Sequence, residues 1–212
     1  MLTTLFFDIG GVLLTNGWDH AERARAADHF GLDRADIERR HAPLTEPFEC
    51  GALSLDAYLT QVVFTGPRPF SREAFIAFMH ACSEPMPESL ALLAELKAAG
   101  LRLAALNNEG RDLNRYRIEH FGLRRYFTAF CSSCYLGVRK PGLEIYSRAL
   151  GILHLRAEEC GFVDDRPENL NAPRELGMRC FYFTSAAQLR KELCLDSSPN
   201  PPALPPLATN PS

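Results

Sequence analysis

The apolar positions of this chain change rhythm twice. Short apolar stretches near residues 3–8, 101–106, 127–132, 160–163 and 179–183 read as strands, and after residue 85 they alternate with segments of helical periodicity. Such alternation predicts a parallel sheet covered by helices. In residues 87–99, Leu90, Leu93, Ala94 and Leu96 fall on one helical face and Gly100 follows as a stop signal. Pro141 is placed to open the next helix, which runs to Gly151. Pro173 fits poorly inside a helix starting at Pro167, so that helix either kinks or begins nearer Asn171. Between Asn16 and Cys82 the strand pattern vanishes, and residues 21–30, 33–41, 54–63 and 71–81 read as helices, two of them preceded by the N-cap candidates Ser54 and Ser71. The pattern predicts a doubly wound, three-layer α/β core (residues 1–15 and 83–195) carrying an all-helical insertion (16–82). Residues 196–212 are proline-rich and poor in apolar side chains, and are expected to form a disordered or extended tail.

Four predicted strand ends carry polar residues. Asp8 follows Leu5-Phe6-Phe7 and precedes Ile9-Gly10-Gly11. In open α/β sheets ligands bind beyond the carboxyl ends of the strands, and paired glycines let backbone amides approach an anion. Taken alone, Asp8 reads equally well as a turn cap. Asn107-Asn108-Glu109, Arg139-Lys140-Pro141 and Asp164-Asp165-Arg166 occupy the corresponding places after the later apolar stretches.

Composition narrows the class. The chain has 212 residues, 46% of them hydrophobic, enough for an ordinary core. A net charge of -3 and no interleaving of basic and aromatic residues argue against nucleic acid as a partner. No apolar run approaches a membrane span and no basic n-region opens the chain, so the expected location is cytoplasmic, with no membrane partner. Seven scattered cysteines fit a reducing compartment. Cys131-Ser132-Ser133-Cys134 has redox or zinc spacing but lacks a second ligand pair, and the competing reading ends a strand at Cys131 and starts a loop at Cys134.

Together FFDIGGVL, LNNEG, GVRKPGLEIY and FVDDRPENLNAPRELGM resemble, in order and spacing, the four motifs of the haloacid dehalogenase-like hydrolases. The likeness covers roughly residues 1 to 195 and is strongest to the sugar-phosphate phosphatases and the phosphatase domain of bifunctional epoxide hydrolases, whose helical cap follows the first motif. The resemblance implies a Rossmann-like core, a closing cap and a phosphatase that attacks a small phosphate ester with Asp8 to form an aspartyl-phosphate. It implies Mg²⁺ held by Asp8, Asp164, Asp165 and the Gly10 carbonyl. A carboxylate is a weak nucleophile toward a dianion, and a hard dication on oxygen ligands reduces the repulsion. Asp164 and Asp165 would repel one another without such a cation. Lys140 is expected to neutralise nucleophile and phosphate, with Arg139 nearer the rim. Gly10, Gly11, Asn107, Asn108, Lys140, Trp18 and Glu49 are the candidate substrate-binding residues, Trp18 either stacking on a sugar or packing inside the cap.

Two positions depart from the family pattern. Gly10 stands where most such phosphatases carry a second Asp as general acid and base, a contribution of about 10² to 10⁴-fold. A leaving group that needs little protonation, such as an anomeric or acyl phosphate, suffers least, which points to a sugar 1-phosphate. Asp19, His20 and Glu49 are possible substitutes. Asn107 stands where Ser or Thr is usual, and its amide can still donate to phosphate. The leading expectation is a Mg²⁺-dependent phosphatase. A catalytically weak phosphate-binding or regulatory protein and a metal-free haloacid dehalogenase are the alternatives. The sequence does not fix the oligomeric state.

Overall fold

A computed structural model of the protein describes residues 1–194, and the proline-rich stretch 196–212 lies outside the described residues. Strand β1 (Thr4–Phe7) is followed by five helices, α1 (His20–Phe30), α2 (Arg34–His41), α3 (Thr45–Glu49), α4 (Leu55–Val62) and α5 (Arg72–Ala81). Then come α6 (Pro87–Ala98), β2 (Arg102–Ala105), α7 (Arg111–His120), β3 (Ala129–Phe130), α8 (Ser133–Leu136) and α9 (Leu143–Ile152). The described chain closes with β4 (Cys160–Asp164), α10 (Asn171–Glu175), β5 (Arg179–Tyr182) and α11 (Ala186–Glu192). The strands form one sheet in the order β3-β2-β1-β4-β5, and every pairing is parallel.

β1 lies at the centre because it can be buried on both faces. Leu5 and Phe7 point into the layer built with Leu93, Leu96 and Leu189, whereas Phe6 points into the opposite layer with Ile145 and Tyr146. Sheet order reverses direction about β1 and β4, so the crevice at their carboxyl ends is the topological switch point where doubly wound folds bind ligands. The helical insertion has its own apolar cluster, including Ile37, Phe48, Tyr58, Leu59 and Phe75, which packs on Leu113 of α7. Its entry and exit segments run side by side, Thr15 N donating to Glu84 O and Met86 N to Leu13 O at 2.9 Å each. Asp19, Asp33, Ser54 and Ser71 cap α1, α2, α4 and α5 through their side chains.

Two local expectations change, at Pro141 and at Cys134, and one at Pro173 holds. The helix expected to open at Pro141 begins at Leu143, because the Asn108 amide grips both the N–H and the C=O of Lys140 and Gly142 N closes a turn onto Arg139 O. Pro173 is accommodated as the third residue of α10, which does start at Asn171, where its missing N–H costs no intrahelical bond. Cys134 lies in α8 rather than a loop. Cys131 and Cys134 are free thiols, and burial pushes them up to about 11 and about 12, so neither has the thiolate character of a redox pair. Among the described residues no helix is long and apolar enough to cross a membrane.

Gly161 shows how tightly the sheet face is filled, since a Cβ there would stand 2.6 Å from Leu5 Cδ2 and 2.9 Å from a Phe181 ring carbon. Gly161→Ala is therefore expected to lower the unfolding free energy by about 1–3 kcal/mol through overpacking, measured by urea denaturation.

Candidate active site

β1 and β4 are paired in register, Phe7 opposite Val163, so their next residues emerge together at the switch point. Asp8 N continues the ladder to Val163 O at 2.9 Å and turns the carboxyl into the crevice. Between Asp8 and Asp164 sits the ammonium of Lys140, 3.0 Å from Asp8 Oδ1 and 2.6 Å from Asp164 Oδ2. Lys140 is only 2% exposed and also lies over the Phe162 ring, 5.4 Å from its centroid. Burial opposes its charge, but Asp8 and Asp164 outweigh it and hold the ammonium above the ordinary lysine range. Burial pushes Asp8 up to about 7 against the pull of Lys140, and Asp164 and Asp165 add to the rise. Asp8 Oδ1 also accepts from Ile9 N at 2.8 Å, whereas Oδ2 has no hydrogen bond among the described residues and is the oxygen left for an electrophile.

Asp165 completes a carboxylate cluster. Asp8, Asp164 and Asp165 each offer an oxygen, all within 4.8 Å of one another. Asp164 is already bonded to Lys140, to Asn169 Nδ2 through both oxygens and to the Arg166 amide at 2.8 Å. Asp165 Oδ1, in contrast, is buried without a partner. Burial, then Asp164, pushes the Asp165 carboxyl up. Three carboxylates against one ammonium leave a surplus of negative charge that a dianionic ester would worsen. An orphaned oxygen and a surplus of hard oxygen ligands fit a divalent cation, with Asp8 and Asp165 the freer ligands and Asp164 the holder of Lys140.

Asp8 and Lys140 line a polar cavity of about 220 Å³, with Asp164 and Asp165 behind them. The insertion contributes Trp18, Asp19, Arg23, His41, Thr45 and Glu49 to its lining. The core contributes Gly10, Asn108, Glu109, Arg117, Arg139 and Arg166. Each cation is matched by an acid: Arg23 with Glu38, Arg117 with Glu109 at 2.9 Å, Arg139 with Glu49 at 3.0 Å and Arg166 with Asp19 at 2.7 Å. The last two pairs join core to insertion. Burial raises the Glu49 carboxyl against Arg139. Trp18 borders the cavity but is packed, its ring edge-on to Phe75 and its Nε1 donating to Tyr58 Oη at 2.8 Å. Tyr58 Oη also lies 2.8 Å from His41 Nδ1, and Thr45 Oγ1, which donates to the His41 carbonyl, lies 3.0 Å from His41 Nε2. Burial pushes His41 down to about 4, so it is neutral at physiological pH.

The amides of Asn107 and Asn108 and the Gly11 N–H are committed within the protein. Asn107 does not face the cavity: its amide, Asn114 and Ser132 form a closed ring of hydrogen bonds at 3.1, 3.0 and 2.8 Å, so the side chain is committed inward and not aimed at a phosphate. Asn108 lines the cavity, but its amide is spent on the Lys140 backbone at 2.9 Å in both directions. Gly11 N donates to Leu14 O at 2.8 Å and offers nothing to an anion. The need for glycine there is steric, because its φ is +72° and a Cβ would stand 2.1 Å from Asp165 Oδ2. His20, a proposed substitute acid, is exposed and pairs with Glu38 away from the cavity. Sequence reasoning missed Glu109, Arg117, His41, Thr45 and Arg166. Of these only Glu109 and Arg166 carried a signal, each directly following polar residues at a strand tip.

A family model for haloacid dehalogenase-like hydrolases matches residues 2–177, and the chain belongs to that family. It is 29% identical over 165 residues to flavin mononucleotide hydrolase 1 of Arabidopsis thaliana, covering 77% of this chain and 66% of the relative. It is 32% identical over 113 residues to a sesquiterpene phosphatase of Aspergillus oryzae, covering 53% of this chain and 57% of the relative. The chain thus spans no more than 66% of the length of these two relatives. A haloacid dehalogenase-family enzyme of Bacteroides thetaiotaomicron, solved with magnesium and inorganic phosphate, shares the fold at a TM-score of 0.74 and 18% identity, covering 85% of this chain and 93% of that one.

Removing Lys140 leaves two buried carboxylates facing one another. Lys140→Ala is expected to cost about 3–5 kcal/mol of unfolding free energy, part of it restored by millimolar Mg²⁺, as read from urea titrations with and without the metal.

Proposed function

We propose that the protein is a Mg²⁺-dependent phosphatase of small, polar phosphate monoesters that acts in the cytoplasm and carries the phosphoryl group transiently on Asp8. The observation that carries this reading is the division of labour at the strand tips: Asp8 Oδ1 is fixed by Lys140 and Ile9 N, Oδ2 is free, and Asp165 holds an unpartnered oxygen beside it. Bound by Asp8, Asp165 and the Gly10 carbonyl, Mg²⁺ would supply the positive charge that offsets the phosphoryl oxygens. Lys140 holds the nucleophile in place and keeps a second positive charge within reach of the transferring group. Asp8 Oδ2 bonds to phosphorus as the ester oxygen leaves, and water then attacks the phosphoryl-aspartate to release phosphate and restore the carboxylate. Relatives named as phosphatases, and a fold neighbour bound to magnesium and inorganic phosphate, support the reading. The seven unpaired cysteines accord with a reducing compartment.

The cavity argues for the substrate class. At about 220 Å³ and lined almost wholly by polar side chains, it suits a compact hydroxylated ester better than a flavin or a sesquiterpene. A sugar phosphate fits that description, and Gly10, unable to protonate a leaving group, favours a sugar 1-phosphate. The inward turn of Asn107 favours a second reading, a phosphate-binding protein with weak turnover. A metal-free dehalogenase has no use for the additional carboxylate of Asp165.

Turnover of p-nitrophenyl phosphate should require Mg²⁺, stop on chelation and resume when the metal is restored. Asp8→Asn should lower kcat by about 10³-fold or more. Turnover that survives Asp8→Asn would end the phosphatase reading, and tight phosphate binding without turnover would favour the second.

A further inference from the structure

Gly10 brings no carboxyl to the reaction, and the structure holds another acid on the arginine that faces it. Arg117 Nη1 lies 3.8 Å from where a Cβ on Gly10 would stand and 2.8 Å from the corresponding point on Gly17. Glu109 Oε2 is 2.9 Å from that same nitrogen and 2.6 Å from the Gly17 point, so a side chain at residue 17 would displace it. Glu109 and Asp8 line the same cavity. The Glu109 carboxyl is held by core elements alone: its backbone N donates to Ser133 Oγ at 3.0 Å and its Oε1 accepts from Gly110 N at 3.2 Å.

We infer that Glu109 is the general acid and base of this site, with Arg117 as its positioning residue, an assignment that rests on the phosphatase reading. In the first half-reaction Asp8 Oδ2 bonds to phosphorus, the bond from phosphorus to the ester oxygen breaks, and Glu109 passes its proton to that oxygen, so the alcohol leaves neutral. In the second, the Glu109 carboxylate takes a proton from water as the water oxygen bonds to phosphorus. The bond from phosphorus to Asp8 then breaks, releasing phosphate and restoring protonated Glu109. The group is suited to both directions at neutral pH, because burial pushes its carboxyl up to about 7 against the pull of Arg117.

The other acids serve less well. Glu49 belongs to α3 of the insertion and faces Arg139, and Asp19 caps α1 and is tied to Arg166. His41 is neutral with both ring nitrogens bonded. With Glu109 as acid, the substrate range widens beyond anomeric phosphates to esters of basic alcohols.

The test compares Glu109→Gln with the wild type on phenyl phosphate, whose leaving group needs a proton, and on p-nitrophenyl phosphate, whose leaving group does not. The variant should lose about 10²-fold in kcat on phenyl phosphate. On p-nitrophenyl phosphate it should release a rapid burst of p-nitrophenol stoichiometric with the chain, then turn over slowly because the phosphoryl-enzyme lacks its base. The burst amplitude counts folded sites, so a misfolded variant cannot imitate this result. Wild-type kcat on phenyl phosphate should fall above about pH 7 as the acid ionises, and that limb should vanish in the variant. Equal losses on both esters without a burst, or no loss on either, would overturn the assignment. Loss of activity in Asp8→Asn beside an unaffected Glu109→Gln sinks the role of Glu109 alone, whereas an active Asp8→Asn sinks the phosphatase reading itself.

Discussion

The buried contact of one ammonium with two carboxylates organises everything at the carboxyl end of this sheet. Lys140, with Asp8 and Asp164 at 3.0 and 2.6 Å, is a charge that could not remain buried unpaired. Each partner is in turn held by neighbouring amides, of side chain or backbone. The Asn108 amide clamps both sides of the Lys140 peptide, Asp164 is fixed by Asn169 and the Arg166 amide, and Asp8 is braced by Ile9 N. These supports come from the tips of β1, β2 and β4 and the loop after α8. The parallel sheet is what brings four distant stretches of chain to one point.

The surplus of negative charge in this arrangement explains features that would otherwise look unrelated. Asp165 has a buried oxygen with no partner, Gly11 has no side chain because Asp165 needs its space, and Asp164 is occupied by Lys140. A dication would give the Asp165 oxygen its missing partner. Around that centre the cavity keeps its charges paired, and the pairs Arg139 with Glu49 and Arg166 with Asp19 tie the helical insertion to the core. The cations of those two pairs are already positioned, held by acids of the insertion.

The strands and the helical insertion were legible in the sequence because the burial pattern of a central parallel strand, as in Leu5-Phe6-Phe7, differs so plainly from the helical periodicity of residues 54–63 or 71–81. The placement of Asp8 and Asp165 at the switch point was legible for a related reason, since polar residues directly after buried strands have few other places to go, whereas Lys140, beyond α8, was expected from its motif alone. The inward turn of Asn107 was not legible because its partners, Asn114 and Ser132, lie 7 and 25 residues away and share no periodic signal with it. Arg117 sits on a helix among other charged residues, and only the fold shows that it is buried on Glu109. Gly11 was read as an amide donor, whereas its N–H serves the turn and its missing Cβ serves Asp165.

Where the phosphoryl group is carried tests the account most directly. Enzyme quenched in acid during turnover of p-nitrophenyl phosphate, digested and read by peptide mass spectrometry, should carry the phosphoryl group on Asp8. A phosphoryl group on any other side chain, or an unmodified chain after a stoichiometric burst of p-nitrophenol, would contradict it.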